Sequence, residues 1–149
     1  MTPDLNADVL RLALPKGRMQ AEVLTLMADA GLPVRTGGRE YRPTVDAGRF
    51  NAKILKPQNI VEMLAAGSRD VGFAGADWVA ELDADVVELL DTGFDPVRLV
   101  AAAPDDLLEN GSLPRRRLVV ASEYPRLTCQ WIERIGVDAR LVHSYGATE

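Results

Sequence analysis

The chain has one cysteine, Cys129, and one histidine, His143. With a lone thiol there is no intramolecular disulfide framework and no cysteine-based metal site. With a lone imidazole, any centre that needs two histidine ligands is excluded. Cys129 falls in the middle of an apolar-periodic stretch, where the expectation is a small packing residue rather than a nucleophile. Long apolar runs are also missing: none approaches the ~20 residues of a membrane-spanning helix. The first residues carry Asp4 and Asp8 and lack the cationic start and apolar stretch of a signal peptide, so the expected location is the cytoplasm. Positive charge is in deficit, with a net charge of −5, which argues against general nucleic-acid binding. The one cationic run, Arg115-Arg116-Arg117, has Asp105, Asp106 and Glu109 nearby and no interleaved aromatic, so it reads as a solvated turn before a strand. What remains is a composition 47% hydrophobic and 26% charged, that of a globular chain rather than a disordered one. At 149 residues it has room for one ordinary domain or two small lobes.

Local patterning alternates strand and helix. The run LRLAL, residues 10–14, is short and apolar, as a buried strand would be. From Met19, the positions Met19, Val23, Leu26, Met27 and Ala30 recur at the spacing of one helix face, and Gly31 follows where a helix end needs a left-handed residue. A polar, glycine-rich stretch leads to a strand near 51–55. Pro57 suits a first helical turn, with Ile60, Met63 and Leu64 inward and Gly67 at the close. A short strand is expected at 71–74, then apolar strands at 86–90 and 97–103 joined by DTGFDP. The segment DDLLENGSLPRR reads as loop and short helix. A strand at 117–121 leads to Ser122 as helix N-cap, to a helix with Leu127, Trp131, Ile132 and Ile135 on one side, to Gly136, and to a last strand at 138–143. This order predicts α/β architecture with largely parallel sheet. The expected division is a first lobe over 1–93 and a partial second lobe over 94–149, with a hinge near 91–96 and ligand in the cleft between.

The turn Pro15-Lys16-Gly17-Arg18 sits between the first strand and the first helix. That is where an α/β sheet offers backbone N–H groups and the positive end of a helix dipole to an anion. Two cations on such a turn suit a phosphate or a carboxylate; the alternative is two solvated surface charges. No G-x-G-x-x-G follows the first strand, which sets a dinucleotide-binding reading aside.

Five pieces, in order, resemble the N-terminal portion of the ATP phosphoribosyltransferase family: LRLALPKGR, DVGFAGADW, GFDPVRLVAAAP, ASEYPRLT and GATE. The resemblance implies a bilobal fold similar to type II periplasmic binding proteins, its second lobe incomplete here. It implies that a ring nitrogen of ATP displaces pyrophosphate from phosphoribosyl pyrophosphate, with Mg²⁺ required, in the first step of histidine biosynthesis. It places Lys16, Gly17 and Arg18 on nucleotide phosphate. Gly72 and Gly75 would allow close backbone approach to ligand, or serve only strand–helix packing. Asp77 would join them at a helix start, or merely cap it. Arg98 matches a family arginine, with a structural ion pair as its alternative. Gly146, Ala147 and Glu149 match the family's glycine turn and acid beside the phosphoribosyl group, Glu149 being the carboxylate for the ribose hydroxyls or the developing positive charge. The family also implies a homo-oligomer, and for its short form a separate regulatory subunit resembling a histidyl-tRNA synthetase.

The departures are specific. Where RPQDI is common, Lys56 and Asn59 stand here, and lysine lacks the bidentate fork of arginine. Where GFG is followed by cysteine, Asp95, Pro96 and Val97 stand here. The family's Thr-Gly-Arg-Thr type loop is expected beyond Glu149, so the 149 residues alone are expected to be poorly active. A binding module for small anions, without chemistry, explains the two lobes and the cationic turn equally well, but not the ordered set of five pieces.

Overall fold

The computed structural model describes residues 9–37, 41–46 and 48–146. The chain divides into two compact units, Met1–Val97 and Arg98–Glu149.

The first unit is built on three parallel strands: β1 (Leu10–Pro15), then β4 (Phe50–Leu55) on one side of it and β5 (Val71–Gly72) on the other. Between β1 and β4 come helix α1 (Gln20–Asp29) and two short antiparallel strands, β2 (Val34–Arg35) and β3 (Thr44–Val45). Helix α2 (Pro57–Ala65) joins β4 to β5, and α3 (Ala76–Leu82) follows β5.

Strand β1 is central because it is apolar on both faces. Leu12, Ala13, Leu14 and Pro15 are all buried, as parallel strands covered by helices on both sides must be. Leu12 and Leu14 pack with Ala52 and Ile54 of β4 and with Val23 and Met27 of α1. The other face, carrying Ala13, receives Ile60 of α2, which is itself fully buried. Burying a side chain of this size contributes ~1.5–3 kcal/mol. The helix-closing residues Gly31 and Gly67 adopt left-handed backbone, as expected.

The amino-terminal end of the sheet is fastened by polar groups just before β5. The N–H of Asp70 donates to the Arg11 carbonyl. The Asp70 carboxylate accepts from the Arg11 backbone N–H at 2.7 Å and from its guanidinium. Arg69 is buried, and its Nη1 donates to the backbone and side-chain oxygens of Asn51 in β4. Among the described residues its Nε has no partner.

The second unit holds a parallel pair, β6 (Leu118–Ser122) and β7 (Ala139–His143), joined by α4 (Pro125–Ile135) and closed by Gly136 in left-handed conformation. Arg115 to Arg117 are exposed just before β6, and Arg117 Nε lies 3.5 Å from Asp138. Residues 105–107 form a single 3-10 turn, and Asn110-Gly111 bends the chain so that Glu109 and Ser112 bridge.

Four expectations need correction. Residues 86–90 and 97–103 form no strand: every residue from 96 to 106 is exposed, and among the described residues no neighbouring strand stands beside them to accept the ladder. Strand β5 covers 71–72 and not 71–74, because only Leu12 and Ala13 of β1 pair with it. Ser122 does not cap α4. It is the last residue of β6, and its Oγ accepts from the N–H of Tyr124, the residue that precedes α4, and from the hydroxyl of Thr128 within the helix. Cys129 is exposed on α4, not packed, because the helix turns Leu127, Thr128, Trp131 and Ile132 inward.

Candidate functional site

The carboxyl ends of β1, β4 and β5 point the same way, since all pairings are parallel. Pro15 lies opposite Leu55, so β1 and β4 stop together. Each of the three strands then runs into a helix, at Gln20, Pro57 and Ala76. In open parallel sheets this is the edge at which ligands bind.

At the end of β1 the Lys16 N–H donates to the Leu55 carbonyl at 2.8 Å, anchoring the turn to the neighbouring strand. Gly17 has φ +103°, backbone that a side chain rarely adopts, and a Cβ there would meet nothing within 4 Å. The glycine is therefore required by the bend and not by crowding. The Gly17 carbonyl accepts from the Gln20 N–H, so the turn feeds directly into α1. No side chain caps α1, so beyond the Gln20 N–H its first turn offers N–H groups to solvent or ligand. Lys16, Gly17 and Arg18 are all exposed, and Lys56, at the end of β4, is exposed beside them on the same edge.

Two further side chains meet this turn. Arg18 Nε stands 3.3 Å from a carboxylate oxygen of Asp95. Lys16 Nζ lies 5.3 Å from the centre of the Tyr41 ring, within the range of a cation–π contact. Sequence reasoning assigns neither a role at the site. Asp95 does leave a signal, an acid where the resembled motif carries glycine, and its backbone is left-handed at φ 43°. Tyr41 sits in a polar, glycine-rich connection with no periodicity to mark it.

At the β5 end, Gly72 is packed against its neighbours. A Cβ there would come within 2.8 Å of the Ile60 side chain and 3.1 Å of the Ala13 Cβ. Gly75 begins α3, and the Asp77 carboxylate folds back over it, occupying the space a Cβ would need. Asp77 is half-buried along this edge, in the first turn of α3. The first unit thus brings Lys16, Gly17, Arg18, Gly75 and Asp77 to one edge of its sheet, with Gly72 one layer below. Arg98 and Gly146 belong to the second unit. Arg98 is exposed and forms no ion pair with any described residue; Gly146 is exposed with φ +103°. Ala147 and Glu149 lie outside the described residues. Among the described residues, no three potential metal-ligand side chains gather.

A model of the ATP phosphoribosyltransferase family matches residues 56–149. The chain belongs to the ATP phosphoribosyltransferase family. An ATP phosphoribosyltransferase of Chlorobaculum parvum is 35% identical over 147 residues, covering 95% of this chain and 50% of the relative. One from Pelotomaculum thermopropionicum is also 35% identical over 147 residues, covering 94% of the chain and 50% of the relative. The chain thus spans about half the length of the curated relatives it matches. Among solved structures, the ATP phosphoribosyl transferase (HisG:HisZ) complex from Thermotoga maritima superposes with a TM-score of 0.74 at 23% identity, over 93% of this chain and 66% of that one. That likeness supports the mixed α/β fold with parallel sheet. Membership in the ATP phosphoribosyltransferase family accounts for what a bare anion-binding module leaves unexplained, the ordered series of matching pieces. No described helix is long and apolar enough to cross a membrane.

Proposed function

We propose that this chain supplies the nucleotide-handling part of an ATP phosphoribosyltransferase, a cytoplasmic pentosyltransferase that joins a ring nitrogen of ATP to phosphoribosyl pyrophosphate and releases pyrophosphate, opening histidine biosynthesis. The observation that carries the proposal is the turn Lys16–Arg18 at the carboxyl edge of a parallel sheet, leading into an uncapped helix start, in a chain of this family.

The chemistry sets the roles. The leaving group is a polyanion, so catalysis consists largely of stabilising charge that grows on it and of holding two anionic substrates in line. Lys16 and Arg18 supply fixed positive charge, and Gly17 lets the backbone N–H groups come close to phosphate oxygens. Asp77 and Gly75 bound the same edge at the β5 end. Gly72 sits beneath, holding α2 close to the sheet. Arg98 is assigned to nucleotide phosphate on the family resemblance alone. Gly146, Ala147 and Glu149 take the phosphoribosyl group, with the Glu149 carboxylate answering the positive charge that develops at the anomeric carbon. Mg²⁺ is part of the proposal as a substrate-borne ion: the described residues offer no cage of three carboxylates, and Mg²⁺ is commonly held by substrate phosphates and water with one or two protein ligands. When bound, it neutralises charge on the departing pyrophosphate.

In the same proposal the two units are the lobes of a type II periplasmic-binding-protein-like fold. The working protein is a homo-oligomer. The similar Thermotoga maritima structure is itself a HisG:HisZ complex, which supports a regulatory subunit partner resembling a histidyl-tRNA synthetase.

The test is calorimetric titration of the 149-residue chain with ATP, AMP and sulfate. The expected order is ATP above AMP above sulfate. Sulfate binding as tightly as ATP would remove the nucleotide reading. The same chain, assayed for pyrophosphate release from ATP and phosphoribosyl pyrophosphate, is expected to turn over little or not at all.

A further inference from the structure

The two cations of the turn after β1 are held by different chemistry. Arg18 faces the Asp95 carboxylate, an acceptor of the same kind as a phosphate oxygen. Lys16 makes no ion pair with any described residue, and its Nζ stands 5.3 Å from the centre of the Tyr41 ring. A carboxylate has to be displaced before a phosphate can take its place. A ring face attracts the ammonium without neutralising it, and leaves N–H donors of the ammonium for an anion. Both partners of this contact are fastened to the end of β4. The Ile54 N–H donates to the Tyr41 carbonyl at 2.9 Å, and the Leu55 carbonyl accepts from the Lys16 N–H at 2.8 Å. Consecutive residues of a strand direct their backbone groups to opposite edges, so Tyr41 flanks β4 on one edge while β1 flanks it on the other. The Lys16 side chain crosses the end of β4 to reach the ring. Tyr41 is thus held by β4 itself and not by the length of the connection that carries it, and at 63% exposure it adds little to the core.

We infer that Tyr41 is a positioning residue for Lys16: its ring holds the ammonium over the carboxyl edge of the sheet, charged and ready for a phosphate group. This role rests on the nucleotide reading of Lys16–Arg18 and extends it to a residue outside the turn. An unrestrained lysine side chain on a surface is spread over many rotamers. The apparent affinity of a ligand falls with the fraction of molecules that have the ammonium in place. A cation–π contact at an exposed site shifts that fraction by ~2–5-fold, so the ring accounts for ~2–5-fold in ATP affinity.

The test begins with NMR on the free 149-residue chain. A ring face beneath the ammonium shields the methylene next to it, so the Lys16 ε-protons are expected upfield of their position in Tyr41→Leu; identical positions overturn the proposal. Calorimetric titration with ATP then compares the native chain with Tyr41→Phe, Tyr41→Leu, Lys16→Met and the double variant Tyr41→Leu/Lys16→Met. Tyr41→Phe keeps the ring and is expected to bind ATP as the native chain does. Tyr41→Leu is expected to bind ~2–5-fold more weakly, with its thermal midpoint unchanged, and to cause no further loss once Lys16 is gone. Replacing Tyr41 by pentafluorophenylalanine keeps the ring's shape and reverses its quadrupole, so the loss should match that of Tyr41→Leu. A fluorinated ring that binds ATP as the native one does, or a Tyr41→Leu loss that persists without Lys16, would give the ring a packing role and overturn the proposal. An affinity that falls with Lys16→Met and not with Tyr41→Leu overturns the role of Tyr41 alone. One that Lys16→Met leaves unmoved removes the nucleotide reading of Lys16 and the role of Tyr41 together.

Discussion

Arg18→Ala separates binding from folding at the cationic turn. Arg18 is 77% exposed on its side chain, and its partner among the described residues, Asp95, lies at 3.3 Å. Ion pairs so open to water contribute ~0.2–1 kcal/mol, so the loss to the fold is small, a shift of ~1–8 °C in the midpoint of a unit this size. A charge-assisted hydrogen bond to a phosphate oxygen is larger, ~1.5–3 kcal/mol, which corresponds to ~10–150-fold in ATP affinity. Asp95→Asn then works in the opposite direction. The Asp95 carboxylate occupies the guanidinium that the phosphate would take, so its neutralisation is expected to tighten ATP binding by up to ~5-fold. In the Arg18→Ala background that gain should vanish, because the competitor and its target act through the same contact. Calorimetry for ATP and circular-dichroism melts of the four proteins complete the cycle. Affinity and thermal midpoint falling in proportion, or a gain from Asp95→Asn that survives without Arg18, would refute the assignment of Arg18 to the ligand.

Three other outcomes follow from the packing and the charges. Gly72→Ala places a methyl group against Ile60 and Ala13, and overpacking of this kind costs ~1–3 kcal/mol; a lowered thermal midpoint is expected, and an unchanged one would mean that α2 moves aside freely. The hydrogen bonds from the Arg11 guanidinium hold the Asp70 carboxyl down to about 2, from an ordinary value of 3.8. A carboxyl lowered on folding lends stability above its unfolded value and loses it as pH falls through the folded one. Acid melts should therefore show a loss between pH ~4 and ~2 that Asp70→Asn abolishes; an Asn variant with the same acid profile would place the cause elsewhere. Cys129 is exposed, so the folded protein should react with a thiol reagent as fast as the unfolded chain does, and slow labelling would mean a covered thiol.

Much of the first unit is legible in the sequence because its signals are local. The apolar run at 10–14, the 3.6-residue spacing from Met19, Pro57 at a helix start and the glycines at 31 and 67 each fix a strand, a helix or an end without reference to anything distant, as Gly136 does in the second unit. The cationic turn is equally visible, since its placement depends only on the strand before it and the helix after it. What sequence does not supply is partnership. Residues 86–90 and 97–103 have the composition of strands, yet a strand exists only where another offers a ladder, and periodicity carries no information on that. Ser122 has the right chemistry for a cap, but its hydroxyl is already engaged by Tyr124 and Thr128. The contact between Arg18 and Asp95 joins residues far apart in the chain, beyond the reach of any local rule, and the same holds for Lys16 and Tyr41. The Asn-Gly pair at 110–111 is a local signal of another kind, a tight bend inside a stretch that reads as loop and short helix.

Strands β1 and β4 end level with each other, Pro15 across from Leu55, and this makes strand length the gauge that sets the rim. Adding one residue inside β4 would advance Lys56 by ~3.3 Å and turn it to the opposite face of the sheet. Insertions and deletions within these strands should therefore be far less tolerated than changes of residue type at the same positions. The place for the chain to vary in length is the connection between β2 and β3, which leaves the gauge untouched.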